Sequence, residues 1–416
     1  MEQSRIYLCL AQMSESNVEL QYIKEAFDKN WVVPLGPNVD GFEADLETFY
    51  SGRRRVVALS SCTAAIHLAL LELGIRQGDE VLCQSFSFCA SSNPVTYCGA
   101  QPVFVDSEPE TWNMDPALLE QAIQDRIAKT GKKPKAIIVV DLYGMPANWV
   151  AIEAIGHRYG VPIIEDAANA IGSLYQGKQC GLFGELGTLS FNGNKMITTS
   201  GGGALLCEDQ QTKKHVVFLS TQAREPYPYY QHEKIGYNYR MSNICAGIGR
   251  GQMTVVNDHI NHHKHVYQLY KELLKDVDGI EVHGNPDERY DSNFWLNTIT
   301  IDPALRVKGQ ENAYKTIVTG AVGGAAGVIH KAENAHTDCE PNDNVEALRV
   351  YLDQQGIEAR PLWKPMHKQP VYQNATAYVN GVSEALFKVG MCLPSGPCVS
   401  DENVKYIVDC IKNSFL

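Results

Sequence analysis

The sequence predicts an α/β protein: a large unit with a mostly parallel sheet covered by helices, followed by a smaller α+β unit at the C-terminal end. Three observations predict it. Short, near-continuous apolar runs alternate with helix-like segments through the first half of the chain, as strands buried on both faces do. A carboxylate, Asp166, falls at the end of one such run, where ligands sit in parallel sheets. From Asn257 the alternation gives way to one long helical pattern, which sets the division at residues 1–254 and 255–416.

Residues 16–30 (SNVELQYIKEAFDKN) bring Val18, Ile23 and Phe27 near helical spacing behind the cap candidates Ser16 and Asn17, so the chain opens with an amphipathic helix. Pro34, Gly36 and Pro37 break it and read as punctuation. Val56 to Gly74 (VVALSSCTAAIHLALLELG) is a short strand turning into a helix, with His67 as a core histidine on the apolar face. Val81-Leu82 leads into the aromatic turn Ser85-Phe86-Ser87-Phe88. Pro102 to Asp106 reads as strand, Pro116 to Ile127 as helix, Ala136 to Gly144 as a strand with a buried pattern, Val150 to Tyr159 as helix and Val161 to Glu165 as strand. Asn257 to Leu274 is one long helix. Its His259, His262 and His263 have spacing that could grip a metal, but no carboxylate or cysteine joins them, so a solvated helix face and no metal is the reading. The stretch Gly320 to Gly327 lacks the Lys-Ser/Thr of a phosphate loop and reads as a mobile loop.

Hydrophobic residues make up 44% and charged residues 20% of the 416 residues, an ordinary globular composition with room for two domains. A formal net charge of −12 disfavours nonspecific binding to nucleic acid or an acidic membrane, though a local basic pocket can still hold phosphate. Twelve cysteines are scattered without a C-x-x-C pair, so buried free thiols are expected rather than a disulfide framework or a zinc knuckle. The first residues lack the layout of a signal peptide and no apolar run reaches membrane-spanning length. The expected location is the cytoplasm, with neither membrane nor nucleic acid as partner.

The chemistry concentrates in Thr188 to Leu205 (TLSFNGNKMITTSGGGAL), where Lys195 lies in a polar turn between a strand-like run and the triplet Gly201, Gly202, Gly203. A lone lysine is usually a solvated charge. Paired with Asp166 it means more. A lysine that can attach covalently to an aldehyde and a carboxylate that can hold a pyridinium proton are the two groups pyridoxal phosphate needs from a protein. Ser61 and Thr63, at the start of the helix after the Val56 strand, would take the phosphate with Ser190, and Phe88 could stack on the ring. Each has a plainer role, since hydroxyls and aspartates cap helices and aromatic side chains fill cores. Their order and polarity favour the cofactor, and transamination, with Lys195 moving a proton, is the simplest reaction for these parts.

The motifs LSSCTAAIHLAL, QSFSFCAS, DLYGMPA, IIEDAANAIGS, LSFNGNKMITTSGGGAL, GYNYRMSN and RPLWKPMH together resemble the sugar aminotransferases of the DegT/DnrJ/EryC1/StrS family, in unbroken order from about Trp31 to the C-terminus. STQARE (Ser220 to Glu225), GYNYRMSN (Gly236 to Asn243), RPLWKPMH (Arg360 to His367) and CLPSG (Cys392 to Gly396) resemble most the branch that aminates carbon 4 of a UDP-linked 4-keto-6-deoxy-N-acetylglucosamine on the way to bacillosamine. The resemblance implies a type I pyridoxal phosphate-dependent aminotransferase fold, a homodimer sharing its active sites, and glutamate as donor to a UDP-2-acetamido-2,6-dideoxy-hexos-4-ulose. It implies that Asn238 reaches the cofactor phosphate of the neighbouring subunit. It also implies that the segments with Arg224, Arg360, Trp363, Lys364 and His367 line the nucleotide-sugar pocket, where Arg and Lys suit a diphosphate and Trp363 a flat face. Cys62 stands where relatives commonly have glycine beside the phosphate. Asn169 stands where they have Glu, Gln or His beside the ring, and it can hydrogen-bond the ring hydroxyl but cannot titrate. Some relatives carry histidine in place of the lysine and are dehydratases; Lys195 argues against that. Another nucleotide-linked keto sugar, of pseudaminic, perosamine or legionaminic type, stays open, as does a cofactor-binding regulator without turnover.

Overall fold

The computed structural model describes residues 5–314 and 339–416. Eight strands form the central sheet, in the spatial order Arg55–Leu59, Gly203–Cys207, Leu186–Ser190, Ile163–Asp166, Ala136–Val140, Glu80–Gln84, Gln101–Val105 and Ala377–Tyr378. Gly203–Cys207 pairs antiparallel with both neighbours, and every other adjacent pair is parallel, so the mostly parallel sheet is present. Successive residues of one strand enter different cores. Val56 and Ala58 pack on one side and Val57 and Leu59 on the other; Ile137 and Val139 oppose Ala136 and Ile138 in the same way. A strand alternates its side chains, so one buried on both faces must be apolar at every position.

The covering helices start where the sequence offers caps. Ser61 accepts from Ala64 N at 3.0 Å, Asp115 from Ala117 N at 2.7 Å and Asn148 from Ala151 N at 3.4 Å. Helices Pro116–Thr130 and Trp149–Tyr159 end at Gly131 and Gly160 in the left-handed conformation.

A second, antiparallel sheet of Ile280–Val282, Asn297–Ile301, Gly390–Leu393 and Arg360–Pro361 packs with helices Val256–Leu274, Asp343–Gln354 and Asp401–Ser414 around a core of its own. Elements on the two sides of the expected division after residue 254 also join each other, as where Tyr290–Asp291 pairs antiparallel with Leu174–Tyr175. Ile6 bridges Ile357 and joins the second core, while Ala377–Tyr378 extends the large sheet at its Gln101–Val105 edge.

Several local expectations need correction. The opening helix is Val18–Asp28, but its buried residues are Glu19 and Ala26, while Leu20 and Phe27 are exposed. Glu19 is drawn inward by Ser14 N at 2.9 Å, Ser14 Oγ at 2.6 Å and Gln252 Nε2 at 2.8 Å. Pro37 does more than punctuate, because it opens a further helix, Pro37–Phe49. Helices Gln210–Ser220 and Asn243–Met253 add to those the sequence predicts.

The histidines of Val256–Leu274 do not form a solvated face. His259 and His263 are buried, with Nδ1 3.1 Å from Met196 O and 3.3 Å from Phe294 O. Burial pushes His259, His262 and His263 below the ordinary histidine range, His263 to about 3. They form no metal-ligand group among the described residues. His67 is buried, with Nδ1 3.3 Å from Tyr239 OH. The stretch Gly320 to Gly327 lies outside the described residues. All twelve cysteines are free, and no described helix is long and apolar enough to cross a membrane.

Candidate active site

Parallel strands deliver their last residues to one edge of the sheet. Asp166 ends Ile163–Asp166 and Ser190 ends Leu186–Ser190, while Ser61 and Thr63 follow Arg55–Leu59 at the start of the helix Cys62–Glu72. The antiparallel strand begins at this same edge with Gly203. A Cβ there would lie 2.3 Å from Cys62 N and 2.4 Å from Ser61 C, so only glycine lets the strand pass under the helix N-terminus. The first-turn N–H groups of that helix have no intrahelical partners and favour an anion.

Lys195 follows in the turn after Ser190. Its Nζ donates to Asn169 Oδ1 at 2.6 Å and lies 3.7 Å from the centre of the Trp295 ring, whose own Nε1 donates to Asn194 O at 2.7 Å. Burial pulls the Lys195 amine down to about 8, against the opposing pull of Asp166 and the thiols of Cys62 and Cys9. Asp166 is 3% exposed. Its Oδ2 accepts from Ser91 Oγ at 2.6 Å and its Oδ1 from Ala168 N at 3.1 Å. Burial raises its carboxyl above the usual range, while Ser91, Ala168 and Lys195 pull the other way. The two residues therefore sit within each other's field, with their proton affinities drawn together.

The remaining candidates divide. Phe88 is 55% exposed and its ring centre lies 5.6 Å from Trp363, which is 6.2 Å from Trp295 and 4.8 Å from Tyr143. An aromatic wall thus runs outward from Lys195, with half-buried Lys364 next to Trp363 in the chain. The Cys62 Sγ lies 4.0 Å from Asp166 Oδ1. Arg360 pairs with Glu358 at 2.9 Å. His367 has Nδ1 2.6 Å from Ser85 Oγ and Nε2 3.1 Å from Glu384 Oε1, so both ring nitrogens are taken by the chain itself and the side chain acts as a strut at the end of Glu80–Gln84. Arg224 and Asn238 are exposed: the Arg224 guanidinium lies 4.2 Å over the Tyr230 ring, and Asn238 bridges Thr221.

Sequence reasoning missed two residues of the site. Ser91 lies inside the motif QSFSFCAS and carried a signal in its place three residues after Phe88. Trp295, in SNFWLNT, reaches Lys195 only through tertiary folding, and no local pattern points to it.

Residues 13–323 and 326–412 match the sequence model of the DegT/DnrJ/EryC1/StrS aminotransferase family. The chain belongs to this family. Among curated members of the DegT/DnrJ/EryC1/StrS group, it is 41% identical to EpsN of Bacillus subtilis, itself provisionally assigned as a pyridoxal phosphate-dependent aminotransferase, over 99% of this chain and 96% of that one. It is 32% identical to the GDP-perosamine synthase of Escherichia coli O157:H7, over 98% of this chain and 99% of the other. A DegT/DnrJ/EryC1/StrS aminotransferase from Brucella abortus has the same fold in its crystal structure, with a TM-score of 0.80 at 28% identity, covering 96% of this chain and 95% of that one. The fold is the type I aminotransferase fold, and the cofactor of the family is pyridoxal phosphate. The donor set fits that group: an amine enclosed by Asn169 and Trp295, a buried carboxylate, and a glycine-floored helix N-terminus at the same edge.

Proposed function

We propose that this aminotransferase moves an amino group from glutamate to carbon 4 of a UDP-linked 4-keto-6-deoxy-N-acetylhexosamine, as a cytoplasmic homodimer serving bacillosamine-type glycan synthesis. The observation that carries the reading is the enclosure of the Lys195 amine between Asn169 and Trp295, with Asp166 behind it and the wall of Trp363 and Phe88 leading outward. Pyridoxal phosphate, when bound, supplies an aldehyde and an electron-withdrawing ring. Lys195 would hold the cofactor covalently, and its amine, drawn down by burial to about 8, would be neutral often enough to take up and return a proton at Nζ. Asp166 holds the proton on the ring nitrogen, Asn169 orients Nζ, and Trp295 excludes water from one side of it. Ser61, Thr63 and Ser190 take the phosphate. Trp363 and Lys364 line the way to a nucleotide sugar, and Arg224 and Asn238, exposed on their segment, would face a second subunit. Exposed Leu20, Phe27, Trp31, Val32, Val33 and Leu35 support a second copy covering that surface.

The likeness to a GDP-perosamine synthase favours a second reading, a GDP-linked keto sugar. One experiment separates them: glutamate with UDP-, GDP- and dTDP-linked 4-keto sugars, products identified by mass. Amino-sugar product from the UDP substrate alone supports the first reading, and product from the GDP substrate alone overturns it. Bound cofactor whose visible absorption does not respond to glutamate would indicate a regulator without turnover.

A further inference from the structure

Asp166 is joined to two serines in series. Its Oδ2 lies 2.6 Å from Ser91 Oγ, Ser91 Oγ lies 2.8 Å from Ser87 Oγ, and Ser87 Oγ lies 3.2 Å from the carbonyl oxygen of Phe88. Ser87 and Ser91 are 1% and 3% exposed, so water does not compete for these contacts. Each hydroxyl has a single proton to donate. An ionised carboxylate only accepts, so the Ser91 proton points at Asp166, and the Ser91 oxygen is left to accept the one proton of Ser87. The Phe88 carbonyl then receives nothing from Ser87. Were Asp166 protonated and donating, every hydroxyl would turn round and the last proton would fall on Phe88 O. The direction of the chain therefore reports the charge on Asp166, and a hydroxyl polarised by its neighbour donates more strongly than one alone.

We propose that Ser87 and Ser91 form a directional hydroxyl relay, Ser87 to Ser91 to Asp166, that fixes the carboxylate as an acceptor inside a buried site and so sets how firmly the cofactor ring nitrogen keeps its proton. The inference rests on the reading of Asp166 as the partner of that nitrogen. Both serines are positioning residues, since they act through Asp166. The other ionisable groups facing the carboxylate are Lys195, whose charge also favours its ionised form, and Cys62, whose thiol burial holds neutral.

The test uses Ser91→Ala, Ser91→Thr, Ser87→Ala, the double alanine variant and Asp166→Asn, each checked for native circular dichroism. Two quantities are read: the dissociation constant of pyridoxal phosphate, and the pH at which the ring nitrogen of ¹⁵N-labelled bound cofactor loses its proton, followed by NMR. Ser91→Ala raises the dissociation constant about ten-fold and lowers that pH by about one unit, and Ser91→Thr restores both. Ser87→Ala alone acts in the same direction by about three-fold, and adds less than about two-fold on top of Ser91→Ala. Wild-type values in Ser91→Ala, with Asp166→Asn impaired, overturn the relay and leave the Asp166 reading standing. Wild-type values in Asp166→Asn overturn that reading and the relay with it. A full Ser87→Ala effect persisting in the double variant also overturns the relay. Ser87→Ala, one residue further from the carboxylate, carries the test if Ser91→Ala loses its fold.

Discussion

Asp141→Asn is expected to remove a pH dependence built into the core behind the site. Asp141 and Glu165 are both fully buried. Asp141 Oδ1 accepts from Ala147 N at 2.9 Å and Trp149 Nε1 at 3.0 Å, while its Oδ2 receives no N–H and lies beside the Glu165 carboxyl. The Glu165 oxygens accept from Gly181 N at 2.5 Å and Phe183 N at 2.6 Å. Cys180 and Tyr50, both buried, are the other titratable groups facing the pair. Burial pushes both carboxyls up, Asp141 from 3.8 to about 6 against a hydrogen bond from Glu165 that draws it down, and Glu165 well above its ordinary value with the Asp141 charge adding to the rise. A carboxyl whose proton is held more tightly in the folded chain stabilises the fold fully below its unfolded value and loses that contribution as pH rises through its folded value. For Asp141 the window runs from 3.8 to about 6 and is worth about 3 kcal/mol, at about 1.36 kcal/mol for each pH unit. Asparagine stays neutral, keeps its oxygen for Ala147 and Trp149, and turns its amide toward Glu165, which can then carry its charge. Urea unfolding followed by circular dichroism across this window and above it should give matching stabilities at the acid end and a variant about 3 kcal/mol more stable at the alkaline end. Parallel curves for the two proteins would refute a shared proton.

Lys195→Ala should keep the fold and lower amino transfer at least about a hundred-fold, measured as amino-sugar product formed with glutamate; near-normal turnover would remove Lys195 from the chemistry. In the cofactor-free protein, acetylation of Lys195 by acetic anhydride, followed by peptide mass mapping, should accelerate as pH rises through about 8, and a half-point at 10.5 would contradict its burial. Gly203→Ala sets a methyl group 2.3 Å from Cys62 N. It should cost about 1–3 kcal/mol in thermal stability and weaken cofactor retention, and an unaltered melting curve would show that the strand can shift away from the helix start.

Much of the large sheet could be read from the sequence because burial on both faces demands runs such as Ala136–Val140, AIIVV, that few other environments tolerate. Ala377–Tyr378 could not, since two residues carry no period and the pairing with Gln101–Val105 is made across most of the chain. Lys195 and Asp166 stood out because a charge in a close-packed segment needs a cause. Ser91 and Trp295 did not, since a serine in a turn and a tryptophan near a strand are ordinary until the fold brings them to a carboxylate and an amine. The histidines of Val256–Leu274 misled for the converse reason: they look polar in a string, yet a neutral imidazole packs like an aromatic ring. The motif places His367 and Arg360 on a substrate surface, and the fold adds partners no motif shows: Ser85 and Glu384 for His367, Glu358 for Arg360.

One strand, Ile163–Asp166, ends in two acids that burial treats alike and their partners treat oppositely. Side chains alternate along a strand, so Asp166 meets a cation and a hydroxyl donor, whereas Glu165 meets another carboxyl. The first environment favours a charge and the second favours a proton, so a slip of one residue would exchange them and ruin both. Glu165 itself opposes that slip. Its two oxygens hold Gly181 N and Phe183 N, its carbonyl accepts from Thr188 Oγ1 at 3.2 Å, and Ala167 N donates to Thr188 O at 3.0 Å. These bonds tie the acid strand to the loop and strand that run on to Ser190 and the turn of Lys195. Glu165 therefore ties the strand that carries the carboxylate to the strand that leads to the amine.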